Sequence, residues 1–181
     1  MTHFHRAQVG RAQRFIRRHA AGHVTLTEIA REGGGILHTV GATRAATEAE
    51  LFKTACLRVR EAMGYGIRTI ELKSGYGLDH ESELKQLRVA RRLKREFPEV
   101  LFQSTYLGAH AVPKGRTKQE YIDEILRKTL PEVVASGLAD ACDVFVDEGY
   151  FTREDGRAIL RAAGRAGLRV KIHADELSNT G

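Results

Sequence analysis

"IRTIELKSGYGLD", from Ile67 to Asp79, changes character halfway along. A β-branched, apolar run stops at Lys73 and opens into Ser74-Gly75-Tyr76-Gly77. Behind it, Leu84, Leu87, Ala90, Leu93 and Phe97 recur at helical spacing. A strand, a glycine-rich turn and an amphipathic helix make up one βα unit of a parallel sheet. The two glycines let the backbone turn tightly and come close to a neighbour. A bare connection needs no aromatic ring, so the loop poses the question of what Tyr76 faces.

Outward from this unit the same order recurs. Strands are expected over residues 36–42, 67–73, 100–107, 141–147 and 168–173, and helices over 48–63, 81–97, 118–135 (broken near Pro131) and 153–166. Thr47-Glu48-Ala49-Glu50 has the shape of a capping box, and Thr152 precedes another acidic first turn. Gly64, Gly66, Gly137 and Gly167 stand where helices end. Strands alternating with helices give an α/β fold with right-handed crossovers. The glycines of "REGGGILHTV" (Arg31 to Val40) precede an expected strand, whereas a nucleotide-binding loop follows one. The expectation is a partial (β/α)8 TIM-type barrel with about five parallel strands, since a whole barrel takes ~250 residues. Residues 1–35 read as a helix-rich lead-in after a missing first strand, and 36–181 as the incomplete barrel domain.

Composition removes other classes. The chain has 181 residues and a formal charge of +6, and its longest apolar runs are strand-sized, too short to span a membrane. No apolar segment follows the basic N-terminal residues, so no secretory signal is expected. Cys56 and Cys142 match no metal or redox spacing and read as reduced core thiols of a cytoplasmic protein. The basic stretch "RVARRLKRE" (Arg88 to Glu96) lies opposite the apolar helix positions, with no aromatic residues interleaved. That is a solvated helix face, and no nucleic-acid partner is expected.

In parallel α/β folds chemistry gathers where strands end. Those exits carry Lys73 and Tyr76, then His110, then Asp147 and Glu148, then His173, Asp175 and Glu176. Each has a plain alternative: a hydrogen-bonded loop histidine at His110, helix capping at Asp147 and Glu148, packing at Tyr76, solvation at Lys73. Their convergence on one rim is the signal. His173 is the strongest single case, because an imidazole at a buried strand end suits a metal or catalysis, with carboxylates close behind.

"GGGILHTVGATR", "IELKSGYGLDHESELKQLRVARRL", "YLGAHAVP", "LADACDVFVDEGYF" and "VKIHADEL" together resemble the imidazolonepropionases of the amidohydrolase superfamily. The resemblance implies a metal-dependent barrel, holding zinc or iron, that hydrolyses the small molecule 4-imidazolone-5-propanoate to N-formimidoyl-L-glutamate in histidine degradation. It implies metal binding by His173, substrate contact and proton handling by Glu176, and substrate binding by Tyr76. It gives His110 substrate binding and stabilisation of oxyanion charge, and Arg11 the propionate carboxylate. It allows a homodimer of the complete protein. A further metal-binding histidine, His3, falls in "MTHFHR", where either Thr2-His3 or His3-Phe4-His5 supplies the motif. Later metal and catalytic residues of the family have no counterpart here, so this chain alone is expected to be inactive. A different amidohydrolase, such as a deaminase, would share His173 but would not need Tyr76 and His110 together. A non-catalytic fragment is the other alternative.

Overall fold

The computed structural model describes residues 36–179. Helices α1 (Ile36–Ala45) and α2 (Glu48–Gly64) come first, followed by strand β1 (Thr69–Lys73) and helix α3 (His80–Glu96). Strand β2 (Leu101–Ala109) leads to α4 (Lys118–Glu124), a π-helical turn (Ile125–Thr129) and α5 (Leu130–Ala135). Strand β3 (Ala141–Val146), helix α6 (Arg153–Arg165) and strand β4 (Arg169–Ala174) complete the described chain. No described helix is long and apolar enough to cross a membrane.

The strands form one sheet in the order β1-β2-β3-β4, with every pair parallel. Four of the expected strands are thus present. The first, expected over 36–42, is instead helix α1. A short apolar run does not distinguish strand from helix by its period, and here tertiary contacts decide. Lys85 Nζ, from α3, donates to the carbonyls of Thr43, Arg44 and Ala46 at 2.9, 3.0 and 2.7 Å. It thereby satisfies acceptors that the end of α1 leaves open, and places a cation at the negative helix terminus.

Local chemistry explains the other boundaries. Thr47, Thr117 and Thr152 each close a capping box with the acid three residues on, at the starts of α2, α4 and α6. The break expected near Pro131 is the π-helical turn just before it. Proline lacks the N–H that the helical ladder needs there, so the chain widens by one residue and continues.

Alternation splits the sheet into two faces. On one, Ile70 and Leu72 pack with Phe102, Val89, Leu93 and Cys56, while Tyr106, Cys142, Val144 and Val146 pack with Leu84, Leu87 and Ile159. This is the helix side, where burying each large aliphatic group contributes about 1.5–3 kcal/mol. Strand register puts Glu71, Lys73, Gln103, Thr105, Asp143, Phe145, Lys171 and His173 on the opposite face. β1 and β4 are the sheet edges among the described residues, and Val170 and Ile172 of β4 are 50% and 56% exposed. Both cysteines are unpaired and buried. Burial and then the adjacent Asp143 charge push the Cys142 thiol up to about 12, which makes it inert near neutrality.

Candidate active site at the strand ends

Charge on the second face comes from the strands themselves. Lys171 Nζ donates to Glu71 Oε1 at 2.6 Å and to Gln103 Oε1 at 2.9 Å, and Thr105 Oγ1 donates to the same Glu71 oxygen. Burial pushes the Glu71 carboxyl up, but the hydrogen bonds from Lys171 and Thr105 and the charges of both lysines hold it below its ordinary value. One step toward the strand ends, Lys73 Nζ lies 2.8 Å from Asp143 Oδ2 and 3.2 Å from His173 Nε2. His173 Nδ1 is 2.8 Å from that same Oδ2, yet not aligned for a directed hydrogen bond. An ammonium only donates, so the Lys73 contact turns the Nε2 lone pair to the lysine and leaves the proton of a neutral ring on Nδ1.

The loop after β1 sits beside this group. Ser74 continues the ladder, its N–H donating to Thr105 O at 3.1 Å and its Oγ accepting from Leu107 N at 3.0 Å. Gly75 has φ +98°, and a Cβ there would lie 2.7 Å from Leu107 O; one at Gly77 would lie 2.5 Å from Ser82 Cβ. Glycine is therefore required on both sides of Tyr76. The ring between them is 37% exposed and meets His110 edge-on, with centroids 5.1 Å apart. Phe145 then contacts three rings: His110 at 5.9 Å, His173 at 6.4 Å and Tyr150 at 4.5 Å. Tyr76, His110 and His173 thus share one rim, with Phe145 as its apolar floor.

His110 Nδ1 stands 2.9 Å from Gly75 O. A carbonyl only accepts, so Nδ1 carries the proton and Nε2 keeps the lone pair. Burial holds the imidazole below its ordinary value, outweighing the Gly75 carbonyl's opposite pull. The neutral ring therefore offers an acceptor. Donation to an oxyanion, the role implied by resemblance, would need the other tautomer or a second proton.

Glu176 lies in the segment after β4, with an exposed side chain. Its N–H and that of Leu177 donate to Asp147 Oδ2 at 3.0 and 2.8 Å, while Ser178 Oγ and Glu148 N donate to Oδ1. Burial pushes the Asp147 carboxyl up, but these four donors outweigh it and hold the group below its usual value. Asp147 thus fastens the neighbouring segment, and Thr152 caps α6 in its stead. A separate shallow cavity of about 810 Å³ opens nearby, lined by Lys118, Glu148, Tyr150 and Asn179 among others.

His3, His5 and Arg11 lie outside the described residues. Among the described residues, no group of three or more His, Cys, Asp or Glu side chains is placed to hold one ion. His173 has the carboxylate-backed imidazole typical of a ligand, but its Nε2 faces the Lys73 ammonium. The described residues therefore do not by themselves make a zinc or iron site.

Sequence marks Lys73 only as a strand-exit residue with solvation as its plain alternative, and does not single out Asp143, Phe145 or Glu83. The available signal was charge at every second strand position, Glu71 with Lys73 and Lys171 with His173, and Asp143 inside an otherwise apolar run.

No protein-family model matches the chain. An imidazolonepropionase from Burkholderia ambifaria is 49% identical over 174 residues, covering 94% of this chain and 42% of that protein. One from Paraburkholderia phymatum is 47% identical over 173 residues, and one from Burkholderia cenocepacia 48% over 174, both with the same coverage. A solved mandelate racemase/muconate lactonizing protein from Herpetosiphon aurantiacus is 14% identical, with a TM-score of 0.27 over 72% of this chain and 44% of that one. A likeness that distant carries no argument. Along 94% of its length the chain is a sequence relative of the imidazolonepropionases, and it spans 42% of theirs.

Proposed function

We propose that this chain carries part of the active site of an imidazolonepropionase, an enzyme that opens the ring of 4-imidazolone-5-propanoate to give N-formimidoyl-L-glutamate in histidine degradation. The observation that carries the reading is the shared rim of Tyr76, His110 and His173, held over Phe145 on the polar face of the sheet. The sheet itself is read as an arc of a (β/α)8 barrel. The strands run in sequential, parallel order, and right-handed crossovers between such strands would put the helices on one face and leave the other as the barrel interior.

In this reading Tyr76 and Phe145 bracket a flat heterocycle, and His110 Nε2 accepts from a ring N–H. That contact fixes the ring's orientation with the lactam carbonyl toward His173. Glu176, near the rim on a segment fastened by Asp147, handles the proton that moves between water and the leaving nitrogen. Arg11 is assigned the propionate carboxylate, which a guanidinium can grip at two points. Zinc or iron belongs to the reading as a property of the whole protein. His173, with His3, would supply imidazoles, and a site needs about three to four protein ligands in all. The cytoplasm is the expected compartment, and the reading allows a homodimer of the complete protein.

The test is an assay for N-formimidoyl-L-glutamate with two proteins. The isolated chain is expected to form none, and a protein carrying this chain within the full length of its relatives is expected to turn over. In the latter, His110→Ala and Tyr76→Ala should lower kcat/KM by roughly tenfold or more. Turnover unaffected by either substitution would refute the site.

A further inference from the structure

Glu83 is a carboxylate with 1% exposure, and no salt-bridging cation balances it among the described residues. What it does have is backbone. Its Oε2 accepts from Gly75 N at 2.7 Å, and its Oε1 from Gly77 N at 2.8 Å and Leu78 N at 2.9 Å. Gln86 Nε2 adds a longer contact to Oε1 at 3.3 Å. Three amide groups from one short loop thus converge on a single side chain of the following helix. Arg44, from α1, closes the outer side by donating to Gly77 O at 2.7 Å and Leu78 O at 3.0 Å. The loop held between them includes Leu78 at φ +54°, a left-handed conformation that a branched side chain adopts only when surroundings enforce it.

The Gly75 residue continues the connection. Its N–H is bound by Glu83, and its carbonyl accepts from His110 Nδ1 at 2.9 Å. We infer that Glu83 is a positioning residue for the ring-opening reaction: by fixing the Gly75-Tyr76-Gly77 backbone it sets both the place of the Tyr76 ring and the tautomer of His110. The inference rests on the proposed function for its catalytic meaning, while the linkage itself is a property of the folded chain. If the carboxylate lets go, the loop can rotate its peptides, the Gly75 carbonyl leaves Nδ1, and the His110 proton is free to move to Nε2. The acceptor that would meet a substrate N–H is then lost, although neither Glu83 nor Gly75 touches substrate.

Nuclear magnetic resonance of the chain tests this directly. In the unmodified chain at about pH 8, above the ordinary histidine range, the His110 nitrogens should report a proton on Nδ1 and none on Nε2. The amide nitrogens of Gly75, Gly77 and Leu78 should show through-hydrogen-bond coupling to the Glu83 carboxyl carbon. Glu83→Gln puts an amide donor where an acceptor is required. Exchange of the three amide protons should quicken by about tenfold or more, as expected for losing a hydrogen bond to a charged group. His110 should pass to a mixture of tautomers, and a fluorinated Tyr76 should shift or split its fluorine line. A folded E83Q chain that keeps a single Nδ1–H tautomer and an unchanged Tyr76 line overturns the inference. If E83Q does not fold, the couplings in the unmodified chain decide, and their absence overturns it equally. Absent turnover by the full-length protein would remove the catalytic reading while leaving the tautomer linkage standing.

Discussion

Two segments bring candidate site residues to the rim, and they are held in different ways. The loop around Tyr76 is fastened by Glu83 from the helix that follows it, with Arg44 outside and Ser74 inside, so its inner anchors are buried and close to it in sequence. The segment around Glu176 is fastened from the adjacent strand end by Asp147, and its own side chains are largely exposed. Both use one buried carboxylate to collect backbone N–H groups, but the donors held by Glu83 belong to buried residues and those held by Asp147 to a part-exposed segment. Buried donors that lose their acceptor are stranded, whereas donors on a part-exposed segment can turn to solvent. The first loop is therefore a fixed part of the site. The second is a tethered one, whose order depends on a single neighbour.

The largest effect should come from the anchor whose donors are buried. Glu83→Ala is expected to lower unfolding free energy by about 3–5 kcal/mol, because three buried amides lose their acceptor. Urea unfolding measures this, and a loss equal to that of Asp147→Ala would break the contrast. Asp147→Ala should cost about 1–2 kcal/mol, with faster amide exchange confined to Glu176, Leu177 and Glu148. Its acid dependence has a definite sign. The folded carboxyl titrates below its ordinary value of 3.8, so its contribution is complete above that value and fades as pH falls through the folded one. Stability measured between about pH 5 and pH 2 should lose part of its slope in Asp147→Asn.

Smaller effects sharpen the picture on the Tyr76 side. His110 is a base held below 6.5, so the unfolded chain binds more protons than the folded one between the folded value and 6.5. Stability should fall as pH drops through about 6.5 and level off below the folded value. His110→Asn keeps a donor for the Gly75 carbonyl and should remove that slope; an unchanged slope would assign it to another group. Tyr76→Phe should alter stability by less than about 0.5 kcal/mol, since the ring is part-exposed. A larger loss would show that the ring supports the loop and is not merely presented by it.

Much of this architecture is written in local chemistry. Strand and helix alternation, the capping threonines Thr47 and Thr152, and the pause near Pro131 all follow from residues within a few positions of one another. The rim residues were legible for the same reason, because a polar residue directly after an apolar run marks a strand exit. α1 was not, since what makes it a helix is Lys85, some forty residues away, reaching its last carbonyls. Glu83 was hidden in a helix whose other acids are solvated, and Asp143 in a strand otherwise apolar. Each has meaning only through atoms that the fold delivers to it.

The sequence by itself determined the α/β class, the order of its units and the set of chemical groups at the strand ends, because periodicity and turn chemistry act over short range. Tertiary structure alone decided which of those groups meet: that Lys73 reaches both Asp143 and His173, that Gly75 links Glu83 to His110, and that Asp147 binds a segment instead of capping a helix. Partner choice for a charged or polar atom depends on distances through space that residue spacing does not encode.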